Sequence, residues 1–127
     1  MKNRIDDFIN DFYYDIDNRT ESKTLAMKYI DEEIEMSMLG DSFSKIDGFI
    51  SWYDGLKAGF ETSFHQIKQV EIKEETEFLN VTLALSWIAS FRNMGDKNKV
   101  KHNLIANIHI VENSNGFTIT KLRCKAV

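Results

Sequence analysis

The sequence has no proline and a single cysteine, Cys124. One thiol cannot form an intramolecular disulfide, and nothing points to an oxidising compartment. Basic charge is also short. Sixteen Lys and Arg against 20 Asp and Glu leave a net charge of −4, which argues against nucleic acid, whose binding needs a large basic footprint. No run approaches the ~18 apolar residues of a membrane span. The stretch from Met1 to Asn10 carries Asp6 and Asp7 and lacks the continuous apolar core of a signal peptide. A cytoplasmic protein with no membrane and no nucleic-acid partner is therefore expected, and there the sequons Asn18-Arg19-Thr20 and Asn80-Val81-Thr82 carry no weight. His-x-x-x-His and Cys-x-x-Cys pairs are missing, as are a phosphate-binding glycine loop and a nucleophile elbow. No metal and no cofactor are expected. What is present is apolar bulk: Leu, Ile, Val and Phe make 36 of 127 residues, well above the level of disordered chains, in a length that suits one domain spanning residues 1–127.

Periodicity organises this bulk. Ile5, Phe8, Ile9, Phe12, Tyr13 and Ile16 follow the spacing of a helix with one apolar stripe. Thr20 or Ser22 caps a second, shorter helix through about Tyr29. Ile34, Met36 and Met38 then alternate with polar residues as a short strand ending at Gly40-Asp41. Ser44 opens a third helix carrying Ile46, Phe49, Ile50, Tyr53, Leu56 and Phe60, whose Gly48, Gly55 and Gly59 suggest close packing. Beyond Phe64 the pattern is β, over about 65–74, 77–91, 98–112 and 116–126, with turns at Met94-Gly95-Asp96 and Ser114-Asn115-Gly116. Helices followed by an antiparallel meander predict an α+β fold, a curved sheet wrapped around three helices.

Face parity refines this picture. Leu79, Val81, Leu83, Leu85, Trp87, Ala89 and Phe91 form one apolar face. In the next strand Val100, His102, Leu104, Ala106, Ile108 and Ile110 do the same, so His102 belongs with the core set and His109 looks away. The last strand switches parity between Ile119 and Leu122, which predicts a bulge near Thr120. Lys97, Lys99 and Lys101 mark a charged strand start, and the acids from Glu71 to Glu77 a solvated turn.

This order of elements, with Asp47-Gly48-Phe49-Ile50, Phe64-His65-Gln66-Ile67 and the hairpin Asn113-Ser114-Asn115-Gly116-Phe117, resembles the nuclear transport factor 2-like superfamily along essentially the whole chain. The resemblance implies a cone with a pocket between helices and sheet, and dimers formed through the sheet. Within the superfamily two segments are similar to scytalone dehydratase. His65 matches its histidine after the third helix, and His102 ahead of Ala106-Asn107-Ile108-His109 matches its later one; Tyr14-Asp15 stands where that enzyme has a Tyr-Asp pair. Ketosteroid isomerase fits less well, because Ser37 stands near Gly40 where that enzyme has its carboxylate base.

The resulting expectation is a small apolar molecule bound in a homodimer that pairs through its sheet, with Ile88, Ile105 and Val111 on the outer face. As an enzyme it would be a cofactor-independent acid–base lyase or isomerase. In that reading His65 moves the proton, His102 assists, and Tyr14, paired with Asp15 as a further catalytic candidate, polarises a carbonyl by donating a hydrogen bond. Tyr13, Met36, Met38, Trp52, Tyr53, Trp87 and Phe91 would line the pocket. The alternative is a non-catalytic ligand-binding or protein-docking module. In that case the two histidines are bonded locally, Tyr14 and Asp15 sit on a solvated helix face, and the aromatic and Met set is ordinary core.

Overall fold

An apolar stripe needs a partner surface, and helix α1 (Lys2–Asp17) finds one: Ile5, Ile9, Phe12, Tyr13 and Ile16 are all buried. The computed structural model describes residues 2–92, 99–114 and 116–127. Helix α2 (Ser22–Tyr29) follows, with Leu25, Ala26 and Tyr29 inward. Its cap is Glu21, whose carboxylate accepts from the Lys23 N–H at 3.0 Å, not the expected Thr20 or Ser22. Thr20 belongs to the wrap that ends α1, its N–H bonded to the Asp15 carbonyl and its own carbonyl to the Tyr53 hydroxyl, and Ser22 is already helical.

Strand β1 (Ile30–Met38) buries Ile30, Ile34 and Met36. The chain then folds back into β2 (Asp41–Ser44), with Met38 opposite Asp41. The apolar pattern does not announce β2, because Asp-Ser-Phe-Ser holds one apolar residue. Helix α3 (Lys45–Gly59) buries Phe49 and Tyr53. Of its glycines only Gly48 is closely packed, since a Cβ there would lie 3.3 Å from Phe43; Gly55 and Gly59 face open space, contrary to expectation.

Phe60 does not extend the helix. It begins strand β3 (Phe60–Glu74), because its extended backbone pairs it with Phe91. The strand therefore starts before His65. It ends at Glu74, as the expected strand does, so Glu71 and Lys73 pair with Thr82 and Asn80 and do not belong to the solvated turn read from the acids. Strands β4 (Leu79–Phe91), β5 (Lys99–Asn113) and β6 (Gly116–Ala126) complete a curved, unclosed sheet of order β2-β1-β6-β5-β4-β3. All pairs are antiparallel except β1 with β6. His109 faces Lys121 and Ile110 faces Ile119, which leaves Thr120 unopposed at the predicted bulge. The turn at Met94-Gly95-Asp96, Lys97, and Asn115 of the last hairpin lie outside the described residues.

The concave face carries Val81, Leu83, Ala106, Ile108 and Ile110, all buried, with α1 against β3, α3 against β1 and α2 against β1 and β6. Strands β2 and β3 are the two edges. Among the described residues no helix is long and apolar enough to cross a membrane.

Candidate functional site

Strand alternation turns His65 inward while its neighbour Phe64, 55% exposed, faces out. The imidazole meets the last residue of α1. Asp17 holds it twice: one carboxylate oxygen accepts the His65 backbone N–H at 2.8 Å, and the other lies 2.7 Å from Nδ1. A carboxylate only accepts, so the proton between them belongs to Nδ1, and Nε2 is the nitrogen left for other work. Both side chains are largely buried, 9% and 13% exposed, so the pair is stiff and mostly dry.

One helical turn before Asp17, on the same stripe, Tyr13 sets its ring 5.0 Å from the imidazole. Its residue exposure is 7%, and its hydroxyl has no hydrogen-bond partner among the described residues. Burial first, then the nearby Cys124 thiol and Asp17, push the phenol above its ordinary pKa, so it stays a donor at neutral pH. Burial likewise pushes Cys124 up to about 11, which leaves the thiol protonated and unreactive.

His65, Tyr13 and Cys124 line a cavity of about 450 Å³ between the concave sheet and α1 and α3, with Asp17 behind His65 and outside the lining. Phe12, Ile16, Leu85, Leu104, Leu122 and Cys124 line it in the interior, and Trp87 walls it with its indole pinned by a 2.8 Å bond to Ser63. Phe43, Trp52, Leu56, Phe60 and Met38 close the sides, while Leu39, Asp41, Ser51 and Gly55 stand where the residues become exposed. The volume suits a small molecule, and the lining is apolar apart from a few polar groups.

The expected residues divide. His65, Tyr13, Met38, Trp52 and Trp87 line the cavity. His102 does not, and its expected place in the core fails: it is exposed and stacks on the far side of Trp87, ring centres 6.0 Å apart. His65, Trp87 and His102 form one row across three strands. Two strand spacings, about 10 Å, hold the imidazoles apart, so they do not converge on one point. Tyr14 is 68% exposed. Asp15 accepts from the Tyr29 hydroxyl at 2.5 Å and from Lys28 at 3.0 Å, away from the cavity. Burial raises the Asp15 pKa, but those bonds and the Lys28 charge outweigh it and hold the carboxyl below its usual range. Met36 and Tyr53 are buried outside the lining; the Tyr53 hydroxyl donates to the Thr20 carbonyl, and burial pushes its pKa up to about 12. Phe91 is 37% exposed and stacks on Phe60. His109 faces outward against Phe78, ring centres 4.4 Å apart.

Sequence reasoning missed Asp17. Its signal was there in the i, i+4 spacing that puts it on the stripe with Tyr13. Its pairing with a residue 48 positions away was not.

No family model matches the chain, and no curated protein does. Solved structures do. A nuclear transport factor 2-like superfamily protein from Salmonella enterica has a TM-score of 0.86 at 14% identity, over 98% of this chain and 89% of that one. A candidate scytalone dehydratase from Novosphingobium aromaticivorans gives 0.86 at 14%, over 99% and 83%. The hexachlorocyclohexane dehydrochlorinase LinA-type3 from Novosphingobium barchaimii gives 0.80 at 12%, over 98% and 85%. At these identities the likeness is one of fold.

Proposed function

From a nuclear transport factor 2-like cone whose hollow is lined by a histidine that an aspartate holds from behind, we propose a cofactor-independent acid–base lyase or isomerase acting on a small, mostly apolar, carbonyl-bearing molecule. The carrying observation is the double hold of Asp17 on His65, which orients the ring and leaves Nε2 as the base. Nε2 takes a proton from carbon. The C–H electron pair moves toward the carbonyl, and Tyr13, not the exposed Tyr14, donates a hydrogen bond to the oxygen as charge develops there. The electron pair then returns to another carbon in isomerisation, or expels a leaving group in elimination. The dehydratase and dehydrochlorinase names among the similar structures support elimination.

Exchange of carbon-bound protons is the test. A panel of small apolar ketones in D₂O, followed by proton NMR, should show exchange that His65→Gln lowers by about 100-fold or more. Exchange unaffected by His65→Gln overturns the assignment. Wild-type protein that binds panel members without exchanging them favours the second reading, a ligand carrier, which the predominantly apolar lining supports.

The proposed assembly is a homodimer through the outer face of the sheet, where Phe64 pairs with Ile88, and Ile105 and Val111 are half-buried.

A further inference from the structure

Leu39 and Gly40 form the two-residue loop between β1 and β2, and their φ angles are +52° and +95°. Two positive φ angles in a two-residue hairpin loop are the mark of a type I′ turn, whose first position favours Asn, Asp or Gly. Leucine suits that place poorly. Its Cβ crowds the backbone there, and it has no short polar group to compensate. Core burial does not account for it either, since Leu39 is 53% exposed, yet it lines the cavity. The turn is also held in place. The Leu39 N–H donates to the Cys124 carbonyl on β6 at 2.9 Å, one step beyond the pairing of Met38 with Cys124. Asp41, just past the turn, is exposed and lines the same cavity, and among the described residues the lining contains no lysine or arginine.

We propose that this turn is the cavity's entrance filter: Leu39 closes over an uncharged apolar ligand, and the Asp41 carboxylate turns anions away. A strained position with an exposed apolar side chain is the expected signature of a residue kept for binding and not for the fold. The filter rests on the cavity being a ligand site and needs no turnover.

The probes are N-phenyl-1-naphthylamine, which is neutral and apolar, and its close analogue 8-anilino-1-naphthalenesulfonate, which is anionic. Both are titrated by fluorescence alongside thermal melting. Wild type should bind the neutral probe more tightly. Leu39→Asn should weaken it about 5- to 10-fold through lost apolar contact, at an unchanged or higher melting temperature because Asn suits the turn. Asp41→Asn should tighten the sulfonate by about two- to threefold, less at high salt, and leave the neutral probe alone. Leu39→Gly gives the same reading if the Asn variant does not fold. Folded Leu39 variants that bind the neutral probe within about twofold of wild type overturn the filter and leave the cavity as a site. A sulfonate bound as tightly as the neutral probe overturns the filter too. Wild type binding neither probe overturns both the filter and the site reading beneath it.

Discussion

At the scale of single residues, the site depends on which way a side chain leaves α1. Consecutive helical residues diverge by about 100°, so a single position turns Tyr14 more than a quarter turn away from the stripe that carries Tyr13. Tyr13 is sealed against the imidazole, and Tyr14 stands in solvent. Tyr13→Phe should accordingly lower any proton-exchange activity by about 10- to 1,000-fold, whereas Tyr14→Phe should leave it unchanged; parallel NMR rates check both. Asp17→Asn keeps the shape but no longer demands the Nδ1–H tautomer, so activity should fall by about 10-fold or more while thermal melting shows the chain still folded. His109 offers a stability readout. Burial, then Lys121 and Arg123, hold its pKa below the ordinary value. The unfolded chain takes up the proton near pH 6.5, but the folded chain resists until lower pH. His109 thus contributes stability that is complete above about pH 6.5 and is lost as pH falls through the lowered folded value. Urea midpoints between about pH 7 and pH 5 should fall less steeply in His109→Gln than in wild type.

Among the elements, legibility followed periodicity. Helix α1, strands β4 to β6 and the bulge at Thr120 were readable because each imposes a regular apolar spacing or a break in it. Strand β2 was not, since it is short and its pairing is supplied by β1. The start of β3 was misread because Phe60 fits a helix stripe and a strand equally well, and only its pairing with Phe91 decides. The Asp17–His65 contact joins elements far apart in sequence, which no local pattern encodes. The glycines of α3 make the energetic counterpart. Gly59→Ala meets no neighbour and should stabilise by up to about 1 kcal/mol, seen as a raised melting temperature. Gly48→Ala presses on Phe43, and the crowding should cancel most of that gain.

For the whole molecule, a hollow lined by apolar groups leaves the core less complete on the α3 side than on the side of Ile108 and Ile110. An apolar ligand that binds only the folded state should therefore raise the melting temperature, in proportion to occupancy. The outer face carries the association prediction. Sedimentation should find about twice the 14.8 kDa chain mass at micromolar concentration, and Phe64→Lys, which puts charge into the Phe64–Ile88 patch, should shift the protein to the single-chain mass.

Strand β3 has β4 on one side only, so its other row of backbone donors is open to any passing strand. At His65 that vacancy is occupied by the Asp17 carboxylate. The group that orients the imidazole is therefore also a guard against unwanted strand addition. Trimming it to Ala should cost solubility along with chemistry, with light scattering rising on storage before any loss of helix is seen.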